Sequence, residues 1–261
     1  MEINQAHIII TGAASGIGFS ILEELLNFDC KIVAADKNAE LLEEVTSSHR
    51  DKVTPFAGDL ANPDKVDQLF DFALHSLGSV ELFIANAGFA YYEQFMEADW
   101  SHLELIFRIN TFSPIYSLMK MGQLNSGKRW KTVMVCSAMA EWALPGYSVY
   151  SATKSALHRF AEGYRFESSE NHLMVVYPIA TRTAFFETAG RHIPLPFPVQ
   201  SPETVAKKII KGILDDRQKL FPSALFSTVF AVNRIFPFIK RLYQYIEFRK
   251  LKIWLHTDPS C

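Results

Sequence analysis

Six short apolar runs, each followed by a longer segment with helical spacing, constrain the fold of this chain more than any other feature. His7-Ile8-Ile9-Ile10 opens the series, and the runs at 31–35, 53–56, 82–85, 132–136 and 173–177 continue it. Between and after them, 17–28, 40–48, 64–77, 100–121 and 150–168 carry apolar residues three or four apart, as in Ile21, Leu22, Leu25 and Leu26. The 100–121 helix is expected to bend near Pro114, where a helical N–H is missing. A strand that is apolar at nearly every position must be covered on both faces, and alternation with helices provides that cover in a parallel sheet. Right-handed crossovers then predict an α/β, doubly wound (Rossmann-type) sheet with helices on both faces. Ligands of such sheets bind beyond the carboxyl ends of the strands.

The chain has 261 residues, enough for one large buried core, and no linker composition divides residues 1–219. A net charge of −2 gives no reason to expect a nucleic-acid partner. Cys30, Cys136 and Cys261 form neither a disulfide framework nor a zinc pattern, so no metal is expected and a reducing compartment is the simpler reading. Met1 to Asn4 leads into the first strand without a signal peptide, which points to the cytoplasm.

The turn after the first run reads Thr11-Gly12-Ala13-Ala14-Ser15-Gly16-Ile17-Gly18. Glycines there let a pyrophosphate approach the backbone, and the following helix offers unpaired N–H groups and the positive end of its dipole. Asp36 closes the second strand at the distance expected of an acid that binds a ribose 2′-hydroxyl. Its charge opposes the additional phosphate of NADP, and Ser15 before Gly16 is not basic. NAD is therefore favoured over NADP, although Lys37 beside Asp36 pulls the other way.

Taken with Asp59-Leu60, Asn86-Ala87-Gly88, Asn110, Ser137, Tyr150-x-x-x-Lys154 and Pro178 with Thr183, the pattern resembles the short-chain dehydrogenase/reductase family from about Ala6 to Thr183. The resemblance implies that Asp59 bonds the adenine amino group with Leu60 beside it, and that Asn86 and Ala87 hold the central strand near the adenosine ribose. It also implies close backbone approach at Gly88 and contact of Thr183 with the nicotinamide carboxamide. Pro178 is followed by Ile179 where the family usually has glycine, so a side chain there would crowd the nicotinamide or reshape the substrate wall.

Hydride transfer to or from a carbonyl carbon changes the charge on its oxygen, so a positioned group must exchange a proton with it. A free tyrosine titrates near about 10. Tyr150 and Lys154 stand four apart on a helix and face the same way, so the ammonium is expected to lower the phenol's pKa. Ser137, just beyond a strand, would donate a hydrogen bond to the substrate oxygen. By resemblance, Asn110 would hold a water linking Lys154 to solvent. Each has a plainer reading: a surface pair, a strand-end cap, a locally bonded helix asparagine. Their joint occurrence after a dinucleotide turn favours chemistry. A non-catalytic redox sensor would need no acid/base, and an epimerase or dehydratase of this type tends to have a longer chain.

The residues expected around the substrate are apolar and large: Ala90, Tyr91 and Tyr92, then Met139, Trp142, Leu144 and Tyr147. Phe185, Phe186 and a proline-rich stretch at 193–198 suggest a lid over 184–202. Together they predict a hydrophobic alcohol or ketone as substrate. Arg182, Arg191 and His192 fit a solvated lid face better than a site for an acidic tail. From 220 to 261 the chain becomes aromatic and basic, with no uninterrupted apolar run of the ~20 residues a bilayer span requires. That tail fits contact with a membrane surface, packing over the substrate entrance, or packing against another subunit. The family's pairing of the two long helices implies a homodimer or homotetramer.

Overall fold

The computed structural model describes residues 1–95, 99–168, 170–190 and 192–257. Arg191 and Cys261 lie outside the described residues. Among the described residues, seven parallel strands form one sheet in the order β3-β2-β1-β4-β5-β6-β7. They are β1 His7–Thr11, β2 Lys31–Asp36, β3 Val53–Ala57, β4 Leu82–Ala85, β5 Lys131–Val135, β6 Leu173–Val176 and β7 Lys219–Leu220. Six correspond to the apolar runs. The seventh spans two residues, too short for any periodicity to announce, and the 219/220 boundary suggested by composition falls inside it.

Alternation within each strand feeds two cores. Ile8, Ile10, Ile32, Ala34, Leu82 and Ile84 face one layer. That layer is covered by α1 (Gly16–Leu25) and α8 (Pro202–Leu214). Ile9, Val33, Phe83 and Met134 face the other. Its cover is α3 (Pro63–Leu77), α5 (Ser113–Leu124) and α6 (Ser148–Glu167), whereas α2 (Ala39–Thr46) packs through Leu41 and Leu42 on the first layer. Burial on both faces is why these strands read as continuous apolar runs rather than alternating ones.

The 100–121 segment is not one bent helix. α4 (Trp100–Phe107) passes into a π-helical stretch at Arg108–Phe112 before α5. Pro114 has no N–H to return to the Asn110 carbonyl, so the normal ladder cannot run through this point. The irregularity falls on Asn110 itself, and π segments of this kind concentrate at functional sites. Beyond β6 come α7 (Phe185–Ala189), α8, β7, then α9 (Ala224–Asn233) and α10 (Phe238–Thr257), which form a helical hairpin.

Candidate active site

The sheet order reverses between β1 and β4, and the strand ends there open onto a cavity of about 760 Å³. One end is lined by Gly12, Ser15, Gly16 and Ile17. Gly12 has φ +66°, and a Cβ on it would stand 2.9 Å from the Ala87 Cα. Ser15 occupies the N-cap of α1 without a side-chain capping bond, so the helix's first N–H groups keep their capacity for an anion. Asn86 Nδ2 donates to the carbonyls of Thr11 and Gly12, both at 3.1 Å, which fixes the turn against β4. Asp36 accepts from the Ala14 N–H at 3.1 Å and the Asn38 N–H at 3.0 Å, holding its carboxylate beside the turn. Asp59, Leu60, Ala87 and Gly88 line the same wall. These residues fit a dinucleotide: an open glycine turn, an uncapped helix end and an acid at ribose distance.

Ser137, Tyr150, Lys154, Pro178 and Thr183 line the cavity further along. Ser137 Oγ accepts from the Met139 N–H at 3.1 Å, capping a short turn and leaving its O–H to point elsewhere. Tyr150 and Lys154, one turn apart on α6, are both buried. The sequence predicts that the lysine lowers the phenol's pKa. In the structure the net direction is upward and is set by burial. Burial drives the phenol well above its ordinary value, and hydrogen bonding with Ser137 only partly opposes this. Lys154 Nζ donates to the Val135 carbonyl at 3.1 Å and lies 5.8 Å from the centre of the Tyr150 ring, while burial also lowers its own pKa.

Two expected site residues stand behind the cavity wall rather than on it: Gly18 and Asn110. Gly18 lets α1 pack on the turn, since a Cβ there would lie 2.5 Å from Asn86 Nδ2 and overlap the Gly12 carbonyl. Asn110 is fully buried. Its Oδ1 accepts from the Phe89 N–H at 3.1 Å, and its Nδ2 donates to the Phe89 carbonyl at 2.8 Å and to Thr153 Oγ1 at 3.2 Å. The side chain is committed to protein partners.

The remaining wall is apolar. Tyr91, Met139, Trp142 and Leu144 line it as expected from the sequence, and Ile179, beside Pro178, joins them. Tyr92, Tyr147 and Ala90 do not. They are packed with Trp254 in a core cluster behind the cavity, where the Tyr92 and Tyr147 rings stand 4.9 Å apart. Phe185 and Pro196 to Pro198 lie over the opening, with the Phe185 ring 5.6 Å from that of Tyr150. Backbone bonds between Arg182 and Gln200 and between Gln200 and Ala180 pin the base of this segment. The tail completes the roof. Leu225, Phe226 and Val229 of α9 and Ile239 and Tyr243 of α10 all face the cavity, and Trp142 packs edge-on to Phe226 at 5.5 Å. Leu105 and Ile109, from the α4–π stretch, also line it. Sequence periodicity could not single these out, because an aromatic-rich helix shows an apolar face without showing what it covers.

A family model described as short chain dehydrogenase matches residues 6–193. Diacetyl reductase [(S)-acetoin forming] of Staphylococcus epidermidis is 27% identical over 159 residues, 59% of this chain and 62% of that protein. The match therefore spans about three fifths of that reductase. 3-Dehydrosphinganine reductase of Danio rerio is 27% identical over 229 residues, covering 81% of this chain and 69% of that one. Among solved structures, a short chain dehydrogenase/reductase from Burkholderia phymatum in complex with NAD superposes with a TM-score of 0.78 at 19% identity, covering 88% of this chain and 92% of that chain.

Proposed function

This chain belongs to the short-chain dehydrogenase family, and from that premise we propose that it transfers a hydride between NAD and a hydrophobic alcohol or ketone, with Tyr150 exchanging the proton. It is an NAD(P)-dependent oxidoreductase acting on a CH–OH group. The observation that carries the finer reading is convergence. Ser137, Tyr150 and Lys154 line the same cavity as the Gly12–Ile17 turn, and the rest of that cavity is apolar.

When bound, the dinucleotide supplies the hydride donor or acceptor. Gly12, Ser15, Gly16, Ile17, Asp59, Leu60, Asn86, Ala87, Gly88, Pro178 and Thr183 would hold it, and Asp36 selects NAD through its charge. The Ser137 O–H orients the substrate oxygen, and the Tyr150 phenol stands ready to exchange a proton with that oxygen. Lys154 lines the same cavity one helical turn away, its ammonium 5.8 Å from the centre of the Tyr150 ring. Asn110 acts as a positioning residue: by gripping the Phe89 backbone and Thr153 it fixes the loop after β4 against α6. Burial keeps the phenol protonated near neutrality, which suits proton donation to a carbonyl being reduced. Oxidation of the alcohol needs the phenolate, so its rate should climb with pH while reduction stays flat from pH 6 to 8. Trp142, Phe226 and Tyr243 on the cavity wall favour a lipid-, steroid- or acyl-like body. The names of the relatives span diacetyl and 3-dehydrosphinganine.

Replacing Tyr150 by Phe tests the assignment. Turnover of apolar ketones should fall by about 10²–10⁴-fold while NADH binding, read by fluorescence, is retained. Near-normal turnover in the purified variant would remove the phenol from the mechanism. The tail's basic, aromatic composition supports a position peripheral to a membrane. Among the described residues, no helix is long and apolar enough to cross one. Pairing through α4–α5 and α6 into a dimer or tetramer follows the family's habit.

A further inference from the structure

The α9–α10 hairpin turns two unlike faces outward and inward. Inward, α10 grips the body through polar side chains. Lys240 Nζ donates to the Glu141 carbonyl at 3.0 Å, Gln244 Nε2 to the Ala143 carbonyl at 2.7 Å, and Lys250 Nζ to the Leu195 carbonyl at 3.2 Å. Outward, the hairpin's tip shows Ile235, 73% exposed, with Phe236 and Phe238 beside it. Leu242, Tyr245 and Ile246 continue the exposed stripe at helical spacing along α10. Arg234, Arg241, Arg249 and Lys252 are exposed among them. Between 221 and 257 the sole acid is Glu247, which is buried and paired with Lys250 at 2.7 Å. The cavity lies beneath this same surface. Leu225, exposed on α9, and Phe197, 71% exposed on the lid, both line it.

We propose that this surface docks on an anionic phospholipid bilayer and sets the cavity's mouth, between Phe197 and Leu225, against the lipid, so that substrate enters from the membrane rather than from water. The inference rests on the apolar-substrate reading above. Exposed aliphatic and aromatic side chains interleaved with arginine and lysine suit the boundary between headgroups and acyl chains, where such segments sit about 5–10 Å deep. Cations without exposed acids among them are drawn to anionic lipid. The same charges argue against a second copy of the chain as occupant. A two-fold pairing through this face would set its four exposed cations against their own equivalents, with no acid opposite.

The test uses the full chain with Cys261→Ser, Cys30 and Cys136 being buried. Nitroxide labels are placed singly through Phe236→Cys, Phe197→Cys and, as a distant control on α2, Glu44→Cys. Sedimentation with vesicles of phosphatidylcholine and phosphatidylserine (7:3) should show binding that weakens with salt and with loss of the anionic lipid. The triple variant Ile235→Ser, Phe236→Ser, Phe238→Ser and the charge reversal Arg241→Glu, Arg249→Glu, Lys252→Glu should each lower binding more than about tenfold. On vesicles, labels at 236 and 197 should gain access to oxygen over an aqueous nickel complex, and the label at 44 should not. Absence of vesicle binding, or binding indifferent to both variants, overturns the proposal. So does a tail that embeds while the label at 197 stays aqueous, or a triple variant whose mass by light scattering drops to a smaller oligomer. Binding and depth are read without turnover, so a chain that docks but reduces no apolar ketone would refute the proposed reaction alone.

Discussion

Gly18 offers the most exacting check on how the cofactor turn is built. A Cβ added there would lie 2.7 Å from the Gly12 carbonyl carbon and 2.5 Å from Asn86 Nδ2, where ordinary contact begins at 3.4 Å. The obstacle on one side is backbone, and Asn86 cannot swing away without releasing both of its bonds to the turn. Forced backbone displacement of this kind costs about 1–3 kcal/mol. Losing two part-buried hydrogen bonds adds about 1 kcal/mol each. Gly18→Ala should therefore lower stability by roughly 3–5 kcal/mol in urea unfolding and weaken NADH binding more than tenfold, although no atom of Gly18 lines the cavity. Gly163→Ala is the matching control. It stands exposed on α6 with nothing within 4 Å of the added carbon, so the better helix former should add about 0.5–1 kcal/mol. If the two variants unfold at the same urea concentration and bind NADH alike, the packing account of the turn is wrong.

Asp36→Ser should move cofactor preference toward NADP by at least about tenfold in kcat/KM, one charge–charge conflict being removed. An unchanged ratio would mean that other groups select the nucleotide. His158 is buried on α6, bonded to the Tyr177 hydroxyl at 2.8 Å and surrounded by Glu141, Glu162, Arg159 and Lys219. Burial lowers its pKa despite the two carboxylates, so on acidification the unfolded chain takes up this proton first. Stability should fall as pH drops through the ordinary histidine range near about 6.5, and His158→Gln should flatten that slope in urea melts between pH 5 and 7. A slope identical to that of the parent would show that other groups carry the pH dependence.

The sheet was legible because each strand is covered on both sides and so writes itself as an apolar run. β7 was not, because two residues carry no period and their place is set by pairing with Val175 and Val176. The glycine turn, Asp36, Ser137 and the Tyr150–Lys154 spacing were visible as residue types at fixed offsets, and the fold brings them to one cavity. What they do to one another was less visible. The direction of the Tyr150 shift depends on burial and on hydrogen bonding with Ser137, both properties of three dimensions. Asn110 shows the same limit, since its bonds to Phe89 and Thr153 join residues 21 and 43 positions away. Neighbouring Tyr91 and Tyr92 part ways, one to the cavity and one to the core, at a turn whose geometry no alternation rule anticipates.

Lys250 ties the hairpin to the proline-rich segment at Leu195, while Lys240 and Gln244 tie it to the segment just after Ser137. The cavity's apolar roof and the proline-rich segment at 193–198 therefore share one support, the twenty residues of α10, which also hold the peptide groups at 141 and 143.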